Sequence, residues 1–433
     1  MADRNGDRIV DKKWVNIFED YPIFDEIEKN GHFIITSTQI NNYKEARLMT
    51  KFDHKSNLPD IFYYNDLSIL PITRGTYMIS KFDAYNKLRI NHKLKPKRFV
   101  LPDWIQSINK NDIYSESASL NCAFVSGMLN DVINEDFIEL TISGRMSTSA
   151  FEFYINTSNN RKAPVYIDRS QCEIDGGYEG LNKLMIIEAK NFMSDDFLIR
   201  QLYYPYRLWN MKLNGHKEIV PVFLVYSNGV FHFFIYKFSV LEEYSSLELL
   251  TQKSYVIADE PIAVSDIENL MNKNYIVKEP KVPFPQADTF ERVIDLLEVL
   301  YEEGTISMED ISLRYDFHYR QAQYYTNAGR YIGLIKKVEP GVISLSQKGN
   351  TIMAMTKKER YLNIAKCIFE HEVFYLTLEM YLKNGYSLTK REIYKYIMKP
   401  NEYKLYRISG NTVERRSSSV KSWVEWIIGL IER

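Results

Sequence analysis

The chain has 433 residues, 55 Lys and Arg against 56 Asp and Glu, a net charge of −1, and 45% hydrophobic residues. That length exceeds one hydrophobic core and implies about three or four domains of globular composition. Near-neutral charge excludes a uniformly basic nucleic-acid binder but leaves room for local basic faces.

Cys122, Cys172 and Cys367 match no zinc spacing and read as buried small hydrophobes in a reducing compartment. The charged start, MADRNGDRIVDKK, lacks the apolar centre of a signal peptide. No apolar run approaches the roughly 18 residues of a membrane span, so a cytoplasmic protein is expected.

Residues 1–105 read as an α+β region. It holds the strand-like runs His32–Ile40 and Asn65–Tyr77 (NDLSILPITRGTY), with FDHKSNLPDIF between them. Lys87, Arg89, Lys93, Lys95, Lys97 and Arg98 form a cationic cluster with no acid among them. Such a run is solvated surface or a track for a nucleic-acid backbone. The two uses open to this region are wrapping the core and adding DNA contacts.

Residues 106–278 mix helix and strand. A helix-like stretch, Tyr114–Val132, precedes strand-like Phe137–Ser143 and Phe151–Asn156. Next comes CEIDGGYEGLNKLMIIEAK, in which Asp175 stands ahead of a short polar loop and an apolar strand ending in Glu188-Ala189-Lys190. A strand alternates its faces, so Glu188 and Lys190 share one side. If Asp175 lies on the neighbouring strand, two carboxylates and an ammonium converge. Such a group suits a hard divalent cation beside an attacking water and suggests metal-dependent phosphodiester hydrolysis. A Glu-x-Lys triplet is also a common solvated, salt-bridging strand end. A helix from Asp195 to about Trp209 then carries Gln201 and Tyr204 on one face, and Pro205 should kink or end it. Strands Ile219–Tyr226 and Val230–Phe238 flank the turn Ser227-Asn228-Gly229.

Pro280, Pro283 and Pro285 mark residues 279–288 as an extended, semi-rigid linker. Residues 289–357 read as a winged helix. An apolar stripe runs along Thr289–Glu303, helices follow at Met308–Arg314 and Tyr319 to Leu334, and Lys336–Leu345 turns at Pro340-Gly341 as a wing. On the third helix Arg320, Gln321, Gln323, Tyr324 and Asn327 are candidates for base edges or phosphates; packing against protein is the other use of such a domain. Residues 358–433 read as a second winged helix, with helices at Arg360–Glu370, Phe374–Asn384, Lys390–Ile397 and Thr412–Ile431. Arg415, Arg416, Ser418, Ser419 and Lys421 fall largely outside the packing stripe of the last helix. Ser is a poor helix former, so Ser417-Ser418-Ser419 needs a reason; short hydroxyls between cations allow close approach to a phosphate backbone, and a solvated polar face explains them too.

The pattern Asp175…Glu188-Ala189-Lys190, in the order helix, three strands, helix, strand, resembles the PD-(D/E)XK nuclease superfamily. Gln201 and Tyr204 are similar to the Gln-x-x-Tyr helix of several of its branches. The wider chain looks like a type II restriction endonuclease with appended winged helices, through NDLSILPITRGTY, RQAQYYTNAGRYIGL and TVERRSSSVKSWVEWI. One departure is that Ile174-Asp175 stands for the family's Pro-Asp, so Asp175 is assigned by spacing.

The resemblance implies an α+β multidomain fold, a PD-(D/E)XK core plus two mainly α winged-helix domains. It implies a sequence-specific double-stranded DNA endonuclease using Mg²⁺ and leaving 5′-phosphate and 3′-hydroxyl ends. Asp175, Glu188 and the Ala189 carbonyl would ligate the metal, and Lys190 would orient or deprotonate the water. Gln201 would position water or phosphate, with Tyr204 a weaker candidate. Glu116 stands where relatives put an extra acid, and Glu173 is an alternative ligand. The implied partners are DNA and, genetically, a cognate DNA methyltransferase, with no membrane and the oligomeric state open. A winged-helix DNA-binding regulator with a degenerate core, and a repair or mobile-element nuclease, are the alternatives.

Overall fold

The computed structural model describes residues 9–91, 93–102, 104–110, 112–258, 262–272, 276–314, 319–385, 387–406 and 408–431, with backbone alone for residues 313, 314, 319 and 320. The protein is α+β and multidomain, dividing into two compact units. One comprises Met1–Leu94, Ser115–Tyr226 and Phe231–Tyr255; the other comprises Lys95–Tyr114, Ser227–Val230 and Val256–Arg433.

The first unit begins with α1 (Ile9–Asp20), α2 (Ile23–Asn30), β1 (Phe33–Thr36), α3 (Ser37–Asn41), α4 (Ala46–Met49), α5 (Asp60–Tyr63), β2 (Ser68–Pro71) and β3 (Thr76–Ser80). The strand expected over His32–Ile40 stops at Thr36. There the Thr36 hydroxyl and the Gln39 side chain form a reciprocal capping box that starts a helix. The three strands make an antiparallel sheet in the order β1-β3-β2. Trp14, Ile17, Ile35, Phe62 and Ile79 are fully buried beside it, and the Trp14 indole N–H donates to the Met49 carbonyl at 2.8 Å.

The chain continues through β4 (Tyr85–Lys87), β5 (Lys97–Phe99, in the second unit), α6 (Glu116–Val125), α7 (Met128–Ile133), β6 (Ile138–Ser147), β7 (Phe151–Asn156), β8 (Lys162–Ile167), β9 (Gln171–Gly180), β10 (Lys183–Lys190), β11 (Asp196–Leu198), α8 (Arg200–Leu213), β12 (Glu218–Ser227), β13 (Val230–Phe238) and β14 (Leu247–Ile257). The single helix expected over Tyr114–Val132 is two, because Gly127 takes φ +82° between them. A mixed sheet runs β14-β13-β12-β10-β9-β6. β9 is antiparallel to both β6 and β10. β12 is parallel to β10, a pairing that needs a crossover, which α8 supplies.

Two sequence expectations are corrected here. Phe151–Asn156 is a strand, but it pairs with β8 in a separate ribbon, and the middle strand between β6 and β10 is β9. The polar loop expected after Asp175 is itself part of β9. Gly176-Gly177 hid it, since Gly weakens a strand signal. Both glycines are required by packing: a Cβ on Gly177 would lie 2.7 Å from the Ile142 Cβ, and one on Gly176 would lie 2.7 Å from the Tyr178 ring. Pro205 does not end its helix, because α8 continues past it to Leu213. Pro205 forfeits one backbone bond and is buried, on a helix whose Tyr203 and Tyr204 join a core with Phe153 and Phe223.

The second unit contains α9 (Val264–Asn272), α10 (Glu291–Glu303), β15 (Thr305–Ser307), α11 (Met308–Arg314), α12 (Tyr319–Tyr331), β16 (Ile335–Glu339), β17 (Val342–Leu345), α13 (Gln347–Met353), α14 (Lys357–Phe369), α15 (Glu372–Asn384), α16 (Lys390–Glu392, continuing as a π-helical turn Ile393–Met398) and α17 (Asn411–Ile431). Residues 291–345 have the elements expected of a winged helix: three helices and a small antiparallel sheet, β15-β17-β16. The second winged helix does not appear in that form, since the described residues from 357 to 431 are helical with no strand, hence no wing.

The 279–288 segment is a packed strap rather than a spacer. Phe284 and Ala287 are 3% and 1% exposed. Phe284 stacks on Phe374 at 5.9 Å, and the Trp423 indole N–H donates to the Ala287 carbonyl at 2.7 Å. The prolines fix an extended backbone, and large aromatics then cover it.

Candidate active site

The β9–β10 ladder ends at Ile187↔Gly176, while β10 stays paired with β12 through Lys190↔Val225. β9 therefore parts from β10 at Asp175, where the β6–β9 register also slips. Irregularities of this kind re-aim side chains. At the fork the Ala189 N–H donates to Asp175 Oδ2 at 2.8 Å, binding the acid where a backbone carbonyl would ordinarily pair.

Glu188 and Lys190 project together, as alternation requires. The Lys190 ammonium donates to Glu188 Oε1 at 2.6 Å, to the Ala189 carbonyl at 3.1 Å and to Glu116 Oε1 at 3.4 Å. Gln201, in the first turn of α8, donates its amide to the same Glu188 oxygen at 2.5 Å. The sequence-derived quartet Asp175, Glu188, Lys190 and Gln201, with Glu116, is thus one cluster. The Glu188 and Lys190 side chains are 8% and 9% exposed and Glu116 is 41% exposed, so the cluster opens at its Glu116 side.

Burial dominates the electrostatics. It pushes the Glu188 carboxyl up to about 8, opposed by the Lys190 ammonium and reinforced by Asp175. Asp175 is likewise raised by burial, against Lys190 and the Ala189 N–H. For Lys190 burial works against the charge, but Glu188, Glu116 and Asp175 outweigh it and hold the ammonium well above the ordinary lysine range. A lysine so firmly protonated is fitted to orient water and offset negative charge, not to abstract a proton.

Among the described residues no group of three or more His, Cys, Asp or Glu side chains stands ready to hold a metal ion. The donors that do converge are all oxygens: the carboxylates of Asp175 and Glu188, the Ala189 carbonyl, and Gln201 Oε1, which is buried without a hydrogen-bond partner. Hard oxygen donors fit Mg²⁺, which keeps several waters in its shell. The Lys190 ammonium now contacts two of them, Glu188 Oε1 and the Ala189 carbonyl, the same pair expected to ligate a metal.

Other candidates are placed differently. Tyr204 is fully buried and donates its hydroxyl to the Pro71 carbonyl at 3.0 Å, so it belongs to the core. Glu173 pairs with Arg145 across β6–β9 at 3.2 Å, half exposed. Asn191, which no spacing singled out, follows Lys190 with both amide atoms buried and unbonded.

In the second unit, α12 presents Gln323 to solvent with Gln321, Tyr324 and Asn327 half-buried. The Asn327 side-chain Oδ1 accepts from Arg330, and the Arg320 side chain lies outside the described residues. On α17 most of the proposed phosphate contacts are otherwise engaged. Ser418 and Ser419 donate to Asp288, Arg416 donates to Gln286 at 2.7 Å, and Lys421 binds Ser387, the Leu388 carbonyl and Glu425. The serine run has its explanation in the strap. Arg415 is exposed, and its guanidinium donates to the Thr412 hydroxyl of its own helix at 3.5 Å.

Three family models match successive parts of the chain, all described as domains of unknown function: DUF6996 over residues 11–79, DUF6997 over 80–256 and DUF7226 over 292–432. The second spans the whole Asp175–Gln201 cluster. No curated protein and no solved structure matches the chain. No helix among the described residues is long and apolar enough to cross a membrane.

Proposed function

We propose that this protein is a Mg²⁺-dependent, site-specific DNA endonuclease of the restriction type, with a PD-(D/E)XK core. One observation carries the proposal: Asp175, Glu188, the Ala189 carbonyl and Lys190 meet at a strand fork, with Gln201 brought onto Glu188 by the crossover helix.

Asp175, Glu188 and the Ala189 carbonyl would hold the ion, joined by Gln201 Oε1. Bound there, Mg²⁺ supplies Lewis-acid polarisation of the scissile phosphate. Lys190 gives up the Glu188 and Ala189 oxygens and turns its ammonium to the attacking water and the phosphate. The water oxygen bonds to phosphorus, the P–O3′ bond breaks, the water proton passes to solvent, and the 3′-oxygen takes a proton from solvent. The products are 5′-phosphate and 3′-hydroxyl ends. Specificity would come from α12, with Gln321, Gln323, Tyr324 and Asn327 toward the bases, and Arg415 would add a phosphate contact.

Incubating full-length protein with unmethylated plasmid and Mg²⁺ tests the proposal. Discrete bands support it, and smearing or nicking assigns the chain to a repair or mobile-element nuclease. Intact DNA that is tightly bound assigns it to a winged-helix regulator. A DNA methyltransferase gene alongside would add support.

A further inference from the structure

Residues 53–55, in the N-terminal part of the first unit, are tied to β11, the short strand between Lys190 and α8. The Leu198 N–H donates to the Asp53 carbonyl at 2.8 Å. The Lys55 N–H donates to Asp196 Oδ1 at 3.0 Å. His54 Nδ1 lies 2.6 Å from the Asp196 carbonyl oxygen. A carbonyl only accepts, so Nδ1 carries the ring proton. The His54 ring is 2% exposed and meets Phe192 edge-on at 5.7 Å.

Phe192 follows Lys190 by two residues, and Leu198 precedes Gln201 by three. The connection between the ammonium and the glutamine is therefore held by a segment more than a hundred residues earlier in sequence. The same connection is also tied to β4 and its flanks, where the Leu88 N–H donates to the Asp195 carbonyl at 2.8 Å and the Ile199 N–H to the Ala84 carbonyl at 3.0 Å, while the Asn191 amide and the Ser194 hydroxyl are buried without partners. The Asp53 carboxylate, 17% exposed, also favours the Lys190 charge.

We infer that His54 is a positioning residue, and that the segment Asp53–Lys55 clamps residues 191–199 so that Gln201 meets Glu188. The N-terminal region is thereby part of the candidate active site and not an appended binding module. The functional consequence rests on the hydrolytic proposal above; the structural consequence does not.

The test uses full-length protein in three forms. His54→Leu keeps the volume and loses the donor. His54→Asn restores an N–H at a similar reach. Lys55→Pro deletes the backbone donor, and with it an ammonium that lies over the Tyr63 ring at 5.8 Å, at the first position of a 3₁₀ turn (Lys55–Asn57), where proline is tolerated. Hydrogen exchange over residues 191–203 should speed up about tenfold or more in His54→Leu and Lys55→Pro, and stay near wild type in His54→Asn. Exchange in α1 and β3 should be unchanged throughout. Plasmid cleavage should follow the same order through kcat, with KM for DNA held within about twofold. Unchanged exchange over 191–203 in both loosened variants that fold overturns the inference. Where His54→Leu does not fold, Lys55→Pro decides alone. If the wild type cuts no DNA, the nuclease proposal fails and the exchange result still decides the clamp.

Discussion

The Ala189 N–H donates to Asp175 Oδ2 at 2.8 Å, so the acid of one strand closes the backbone bonding of the next where their ladder ends. That bond links the catalytic proposal to the fold, since removing the carboxylate also unties the fork. Asp175→Ala should abolish cleavage and cost about 1–3 kcal/mol of stability, by leaving the N–H of the buried Ala189 unpaired. Asp175→Asn, whose carbonyl oxygen still accepts, should retain the stability and lose the cleavage. Urea titration beside plasmid cleavage separates the two effects; equal stability loss in both variants would show that the bond is not structural.

Glu188→Ala or Lys190→Ala should reduce cleavage at least about 10²–10³-fold and leave DNA binding largely intact, because the proposed recognition residues lie on α12 and α17. Lys190→Ala also removes the ammonium that opposes the effect of burial on Glu188, so the carboxyl should rise further and stay protonated. Normal cleavage by Lys190→Ala would remove it from the mechanism. Ca²⁺ in place of Mg²⁺ should support binding without cutting, as its larger shell relaxes the geometry.

Metal binding should depend on pH with a definite sign. The Glu188 carboxyl rises from 4.5 to about 8 on folding, so between those values the folded protein holds a proton that the unfolded chain has released. Metal-free stability from this group is therefore full below about pH 4.5 and is lost as pH rises toward about 8. Mg²⁺ must displace that proton, so its affinity should increase with pH up to about 8 and then level off. Calorimetric titrations at about pH 6, 7 and 8 read this directly. A flat affinity would mean that Glu188 is not the titrating ligand.

The strap separates two kinds of residue on α17. Arg415→Ala should weaken DNA binding and lower the log–log salt slope by about one unit, as expected for one exposed phosphate contact. Asp288→Ala should instead destabilise the second unit by about 1–3 kcal/mol, since Ser419 is 1% exposed and loses its acceptor. If Asp288→Ala changed the salt slope and not the stability, the serine run would be a DNA contact after all.

Deletion near residue 286 cuts through the second unit, which also takes in Ser227–Val230 at the β12–β13 turn. Ser227, 2% exposed, donates to Asp295 at 2.8 Å, and Phe284 packs on Phe374. A 1–285 fragment should therefore aggregate or melt early in a thermal scan. Gln323→Ala in the full chain is the cleaner probe of specificity. Relaxed cutting at altered sites is the expected result, and wild-type fidelity would move sequence reading elsewhere.

Local pattern determined a good part of this protein. Periodicity marked α10 and α11 within two residues, Pro340-Gly341 marked the turn between β16 and β17, and strand alternation placed Glu188 with Lys190. These features depend on neighbours a few residues apart, which is the range over which backbone geometry repeats. Tertiary structure decided what depends on distant partners. β9 is a strand although it carries Gly176-Gly177, because β6 and β10 bond to it on either side. Tyr204 shares a helix with Gln201, yet one side chain enters the core and the other reaches Glu188. Ser418 and Ser419 sit in a helix because Asp288, about 130 residues earlier, accepts their hydroxyls. His54 carried no motif at all, and its place beside β11 follows from packing between segments that only the folded chain brings together.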